Sequence, residues 1–216
     1  MINEVNDFTP VLGAESRIDL IDWHGKFAIR KKRIPKSYRI ETLDKQLRER
    51  RTKEEVEILH TSKLAGVECP QIFFADPESS EIIMEYVPGI LLKDTMNDKH
   101  FEKREVLEQL GRYASKLHAK GIIHGDLTTK NVILASDRMV LIDFGLAFIS
   151  DRIEDKAEDL HLLKQVLKSS NSMRKAVDEF EDVMKGYEIE SGEKITNIVR
   201  RQISKIERRG RYAQVD

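Results

Sequence analysis

Cysteine occurs once in the chain, at Cys69, so no internal disulfide can form and the composition suits a reducing compartment. No Cys/His set has zinc-site spacing. Aromatic residues make up 6% of the total, with five tyrosines and one tryptophan that do not cluster, which argues against a platform for stacking nucleic-acid bases. No stretch approaches the ~20 apolar residues that a membrane span requires. The first ten residues carry Glu4 and Asp7 and no apolar core, so they do not read as a signal peptide. Glycine (11) and proline (5) are too sparse for a collagen-like or linker-type chain,. What remains is 216 residues, 40% hydrophobic and 35% charged, enough apolar material for one domain or two small lobes. The expectation is a soluble, cytoplasmic, globular protein.

The net charge of −1 conceals an uneven distribution. Residues 26–53 hold twelve basic side chains against Glu41, Asp44 and Glu49, a net of +9. Residues 200–211 hold six against Glu207, a net of +5. Two separated basic zones on a nearly neutral chain suggest local contacts with a polyanion, the bland alternative being solvated helix faces and a frayed end.

The front of the chain reads as strands. Ile18–Asp22 and Lys26–Arg30 flank His24-Gly25, a hairpin pattern. Residues 42–65 repeat Leu43, Leu47, Val56, Leu59 and Leu64 at helical spacing and stop at Gly66. Ile72–Phe74 and Ile82–Val87 are further strand candidates. After Pro88-Gly89 the pattern turns helical over 102–119, 157–167, 173–186 and 193–209. Two short apolar strands interrupt it, Val132–Leu134 and Met139–Ile142.

The chemistry concentrates in residues 124–145: His124-Gly125-Asp126-Leu127-Thr128-Thr129-Lys130-Asn131, then Ile142-Asp143-Phe144-Gly145. A carboxylate five positions before a carboxamide, across a tight loop, can converge on one pocket. A second carboxylate at a strand end is a hard ligand for Mg²⁺. Phosphoryl transfer needs such parts: an acceptor-orienting Asp, metal ligands and a cation on the phosphates. Each piece alone is a weak signal, but in this order between two apolar strands they are hard to produce by chance.

This block resembles the catalytic core of the protein-kinase-like superfamily. The resemblance implies an α+β, bilobal protein-kinase-like fold with a small β-rich N-lobe and a reduced helical C-lobe. The implied boundaries are 1–84 for the N-lobe, 85–89 for a hinge and 90–216 for the C-lobe with the basic tail. It implies Asp126 as the catalytic aspartate, with Asn131 and Asp143 as metal ligands. Phe27-Ala28-Ile29-Arg30-Lys31 resembles the third-strand lysine motif and would put Lys31 on the phosphates, although Arg30 and Lys32 leave room for a one-residue shift. Glu55 would pair with that lysine, with Glu54 as the alternative. Thr52-x-x-Glu55 also matches a helix capping box. Met84-Glu85-Tyr86-Val87 resembles the hinge, so Met84, Glu85 and Val87 would meet adenine. The departures are informative. No G-x-G-x-x-G is present, and Gly13-Ala14-Glu15-Ser16 is the one candidate turn over the phosphates. The usual arginine before the catalytic Asp is Gly125, and the usual lysine two residues after it is Thr128, for which Lys130 could substitute. No Ala-Pro-Glu follows Gly145, so most of the peptide-docking platform is missing. Asp159 would anchor the catalytic loop, and His124 would pack within it.

Gly13-Ala14-Glu15, Tyr38-Arg39, Arg51-Thr52, the 124–131 loop, Glu154-Asp155-Lys156-Ala157-Glu158-Asp159-Leu160 and Arg208-Arg209-Gly210-Arg211 occur together here. As a set they resemble the small atypical kinase subunits of the KEOPS complex. That resemblance implies an ATP- and Mg²⁺-dependent serine/threonine kinase and ATPase. It further implies support of threonylcarbamoyladenosine formation at tRNA position 37, with the threonylcarbamoyl-transferase subunit and other KEOPS subunits as partners. Basic regions 26–53 and 200–211 would meet tRNA electrostatically. Two other functions stay open: a small-molecule phosphotransferase of the aminoglycoside-kinase kind, and a catalytically silent nucleotide-binding scaffold.

Overall fold

In the computed structural model, which describes residues 11–12, 15–98, 100–170 and 173–212, the sheet grows from a two-residue turn. His24 and Gly25 take positive φ of 53° and 80°, the backbone of a type I′ turn, whose twist matches the strands it joins. It closes β2 (Ser16–Trp23) on β3 (Lys26–Arg33) in antiparallel register from Ser16↔Arg33 to Trp23↔Lys26. Strands β1 (Val11–Leu12), β4 (Ile72–Asp76) and β5 (Glu81–Glu85) complete an antiparallel five-stranded sheet in the order β1-β2-β3-β5-β4.

Helix α1 (Glu41–Leu64) runs where the spacing predicts a helix, but its inward face is not the apolar one. Leu43 and Leu64 are exposed, while Asp44, Thr52, Glu55 and Ser62 are buried beside Ile58 and Leu59. Ion pairs and hydrogen bonds set this orientation. Asp44 accepts from Arg48 Nε at 2.7 Å and from the Lys36 amide at 3.3 Å. Thr52 Oγ1 donates to the Arg48 carbonyl at 2.8 Å, so it lies mid-helix and caps nothing.

The rest of the chain is helical, with small strand pairings inserted. Strand β6 (Ile90–Leu91) and α2 (Leu92–Thr95) precede α3 (Lys103–Ala119). Then come β7 (Ile122–Ile123), a 3-10 turn over Thr129–Asn131, β8 (Val132–Leu134), β9 (Met139–Leu141) and β10 (Phe148–Ile149). Helices α4 (Ile153–Ser170), α5 (Met173–Ser191) and α6 (Glu193–Tyr212) finish the described chain. The two-residue strands were invisible to periodicity because each exists only through its pairing: β6 with β8, and β7 with β10. No helix among the described residues is long and apolar enough to cross a membrane.

The chain divides into a sheet unit, Met1–His60 with Pro70–Val87, and a helical unit, Thr61–Cys69 with Pro88–Asp216. The end of α1 and residues 65–69 thus group with the helices rather than the sheet. The Leu141 amide donates to the Glu68 carbonyl at 2.8 Å, one reason for that grouping.

Within the helical unit, α3 and α5 approach almost backbone to backbone. A Cβ on Gly111 would stand 1.9 Å from the Val183 carbonyl oxygen, and one on Gly186 would stand 1.7 Å from that of Glu108. Leu107, Leu110, Ala114 and Leu117 of α3 and Val183, Met184 and Tyr187 of α5 are buried around this crossing. Gly111→Ala or Gly186→Ala is expected to force the helices apart at a cost of about 1–3 kcal/mol or more. The check is thermal unfolding, where each ~1 kcal/mol should lower Tm by roughly 2–4 °C in a chain of this size.

Candidate active site

In the sheet unit, Lys31 sits on β3 with its side chain buried. Its Nζ donates to Glu55 Oε1 at 2.6 Å. Glu54 instead pairs with Arg50 at 3.5 Å on the exposed side of α1. A second cation shares the same carboxylate: Arg33 Nη2 donates to Glu55 Oε2 at 2.6 Å. Arg51 Nη1 meets Glu15 at 2.6 Å, and Arg33 Nη1 lies 3.8 Å from that same carboxylate. Burial works to raise the Glu15 carboxyl, but the Arg51 hydrogen bond and the charges of Arg51, Arg33 and Arg39 outweigh it and hold it below the ordinary range. Arg33 was not singled out in the sequence, although its spacing of two from Lys31 puts both on one face of the strand. Ser16 pairs with Arg33 across the hairpin, while Gly13 and Ala14 lie outside the described residues. At the end of β5, Met84 is buried, Val87 is buried just beyond, and the Glu85 amide donates to the Gln71 carbonyl at 2.8 Å.

In the helical unit, the loop after β7 brings Asp126, Lys130 and Asn131 together. Asn131 Nδ2 donates both to the Asp126 carbonyl at 2.8 Å and to Asp126 Oδ2 at 2.9 Å. Lys130 Nζ lies 3.1 Å from that Oδ2, with its own side chain 57% exposed. The Ile142 amide donates to the Asn131 carbonyl at 2.9 Å, which sets Asp143 beside the loop at a φ of 60°. Nδ2 is the end of Asn131 committed to Asp126, so Oδ1 is the end available to a cation. Among the described residues no group of three or more His, Cys, Asp and Glu side chains forms a metal cage. Asn131 and Asp143 each carry an oxygen donor of the kind Mg²⁺ takes, an ion that keeps waters and phosphate ligands.

One buried carboxylate holds this loop. Asp159 on α4 accepts from the His124 amide at 2.9 Å and the Gly125 amide at 3.0 Å. It also receives His118 Nε2 at 3.3 Å, and His118 Nδ1 takes the Tyr187 hydroxyl at 3.1 Å. Burial would raise the Asp159 carboxyl, but the His118 hydrogen bond and the charges and amides around it bring it below the usual range. Burial and the Asp159 charge push the Tyr187 phenol well up, so it stays a donor. The link from α5 through His118 left no pattern in the sequence, because Tyr187 and His118 are 69 positions apart.

His124 packs against Phe144 with ring centroids 4.8 Å apart. Its Nε2 donates to the Ile142 carbonyl at 3.2 Å while Nδ1 accepts the Asp126 amide at 3.3 Å. Only the neutral imidazole can do both. Burial pushes its pKa below 6.5, against the pull of Asp159, Asp143 and Asp126. Gly125 explains the missing arginine: it takes a φ of 76°, and a Cβ there would lie 2.4 Å from the Leu146 carbonyl oxygen.

The first basic zone is largely neutralised at home. Arg30, Lys31, Lys32, Arg33, Arg39, Lys45, Arg48, Arg50 and Arg51 all have a carboxylate of the sheet unit within 4 Å. The second zone does not fray, since α6 continues to Tyr212. Arg200 pairs with Glu181 and Arg209 with Glu154, both at 2.8 Å. Arg201, Lys205 and Arg208 are exposed along one side of α6.

A family model described as the RIO domain matches residues 23–161. The chain belongs to the RIO-domain family. It is 41% identical over 209 residues to the KEOPS complex subunit Bud32 of Pyrococcus abyssi, covering 94% of each chain. It is 38% identical over 204 residues to a probable serine/threonine-protein kinase BUD32 homolog of Archaeoglobus fulgidus, covering 94% and 95%. A probable bifunctional tRNA threonylcarbamoyladenosine biosynthesis protein of Methanobrevibacter smithii is 40% identical over 200 residues, but the match spans 36% of that longer protein. Among solved structures, the Rio2 kinase of Chaetomium thermophilum in its ADP/Mg²⁺-phosphoaspartate complex superposes with a TM-score of 0.62 at 14% identity, over 93% of this chain and 70% of that one. WaaP in complex with acyl carrier protein gives 0.65 at 16%, over 94% and 87%. These two show the fold: a small antiparallel sheet with one long helix, followed by a helical part, as in protein-kinase-like proteins.

Two outcomes follow from the loop. Gly125→Ala should destabilise strongly, since both its φ and the Leu146 carbonyl exclude a side chain, and thermal unfolding reads this. In the unfolded chain His124 takes a proton near pH 6.5, whereas the native imidazole resists it. The unfolded state then binds more protons, so stability falls as pH drops below that value towards the lowered native one. His161, also lowered by burial, adds in the same direction. Melting should therefore occur at lower temperature at pH 5.5 than at pH 7.5, and a Tm unchanged across that range would contradict the buried neutral imidazole.

Proposed function

We propose that the chain is an ATP- and Mg²⁺-dependent atypical serine/threonine kinase and ATPase working within the KEOPS assembly in support of tRNA threonylcarbamoyladenosine formation. The observation that carries this reading is the Asp126 carboxylate, gripped through one oxygen by Asn131 and Lys130. A carboxylate so held is oriented for a hydroxyl or water acceptor, the task phosphoryl transfer assigns to it. Lys130 supplies beside it the positive charge that Thr128 lacks. Asn131 and Asp143 are the residues that would hold Mg²⁺, an ion that would neutralise charge on the phosphates. Lys31, kept in place by Glu55, anchors the phosphates. Met84, Glu85 and Val87 take adenine.

Membership of a larger assembly rests on the relatives. Two of them bear the names KEOPS subunit Bud32 and BUD32 homolog over nearly their whole length. The bifunctional relatives carry the matched segment in one polypeptide with a longer remainder, which supports a standing partner, the threonylcarbamoyl-transferase subunit. For tRNA, the exposed Arg201, Lys205 and Arg208 of α6 are the favoured contacts. The 26–53 zone is the weaker candidate, because its charges are mostly paired.

The deciding experiment incubates the purified chain with γ-labelled ATP and Mg²⁺, with and without the transferase subunit, and follows label on protein and as inorganic phosphate. Wild type should turn over, and Asp126→Ala and Asp143→Ala should lose more than about 100-fold while melting near the wild-type temperature. Lys130→Ala should lose roughly tenfold, and unchanged turnover would remove Lys130 from the site. Silence of the wild type in both conditions would favour a nucleotide-binding scaffold. Replacing Arg201, Lys205 and Arg208 together by Ala should weaken tRNA binding and flatten the slope of log K against log salt by about 2–3. An unchanged slope would move the RNA contact elsewhere.

A further inference from the structure

Glu55 is 3% exposed and carries one cation on each oxygen, Lys31 on Oε1 and Arg33 on Oε2, both at 2.6 Å. The two cations are themselves buried, and they project from the same face of β3,. Simple phosphate anchoring needs one lysine and one glutamate, so the second cation calls for an explanation. When a lysine turns part of its charge toward a phosphate, a buried carboxylate that relied on it alone is left under-compensated, which is costly in a dry setting. A guanidinium on the other oxygen removes that conflict. Its planar fork also lets it hold two groups at once. Nη2 reaches Glu55 and, at 3.4 Å, the Arg51 carbonyl, while Nη1 lies 3.8 Å from Glu15. The fit is not optimised for stability alone. Arg33 Nε is buried and has no hydrogen-bond partner among the described residues, a cost that a well-packed apolar side chain would avoid.

We infer that Arg33 is a positioning residue for nucleotide binding. It fixes Glu55 so that Lys31 can serve the phosphates, and it couples this pair to Glu15 just before β2. The inference rests on the nucleotide-dependent function proposed above.

The test measures affinity for a non-hydrolysable ATP analogue with Mg²⁺ by calorimetry, using the full chain. The proteins are wild type, Arg33→Gln, Glu55→Gln and the double variant, with thermal melts and steady-state ATP turnover alongside. Arg33→Gln should weaken binding about 5–20-fold and raise KM for ATP by a similar factor, with a smaller change in kcat. The double variant should bind no more weakly than Glu55→Gln alone, because Arg33 acts through Glu55. Wild-type affinity in a folded Arg33→Gln overturns the inference. So does a double variant whose loss is the product of the two single losses, since Arg33 would then act independently of Glu55. If Arg33→Gln does not melt cooperatively, Arg33→Lys decides. It keeps the charge without the fork and should bind about threefold or more weakly, and wild-type affinity there is equally fatal. Failure of the wild type to bind the analogue would bring down the proposed function and this inference together. Wild-type binding that survives loss of Arg33 brings down the inference alone.

Discussion

The catalytic-type loop depends on a single buried carboxylate. Asp159 accepts two consecutive backbone amides, His124 and Gly125, and a histidine side chain. Two amides in a tight loop have no secondary-structure partner, and leaving them unmet in the interior costs as much as losing hydrogen bonds outright. Once Asp159 meets them, the turn at Gly125 is determined. The left-handed φ and the nearby Leu146 carbonyl admit only glycine there. Asp126 then follows at a defined angle, ready for Asn131 and Lys130. His118, the side chain that holds Asp159, is itself held by Tyr187 on α5. The geometry of the loop is thus set from helices remote in sequence.

The sheet unit solves a different problem by similar means. Its long helix turns a polar face inward, an arrangement that burial alone would oppose. It is stable because each buried charge is met. Asp44 takes Arg48 and Arg39, Glu55 takes Lys31 and Arg33, and Glu15 takes Arg51. Such pairs add little net stability compared with apolar packing, but breaking one strands its partner. They act chiefly as registration between helix and strand. The same pairing absorbs most of the charge that makes residues 26–53 look like a polyanion-binding surface.

Much of the fold was legible in the order of residues. The His24-Gly25 hairpin, the helix read over 42–65, the two apolar strands around Asp137 and the three last helices all announce themselves by local pattern. The last three helices run up to five residues beyond the ranges that spacing suggests, because capping depends on neighbours that spacing does not reveal,. The short strands β6, β7 and β10 could not be read, since two residues carry no periodicity. The inward face of α1 does not follow the apolar spacing, which selects Leu43, because ion pairing selects Asp44 and Glu55.

The candidate site divides in the same way. Residues close in sequence, Asp126, Lys130 and Asn131, or near a recognisable strand, Lys31 and Asp143, were named from the sequence because chemistry at fixed short spacing survives in a one-dimensional reading. The residues that hold them were not all named: Arg33 on Glu55, and His118 and Tyr187 behind Asp159. The sequence by itself determined which side chains are candidates for the chemistry and which elements carry them. The tertiary structure alone decided which buried charges share a partner, because a hydrogen bond depends on distance and direction in space, and residues 69 positions apart acquire those only when helices pack.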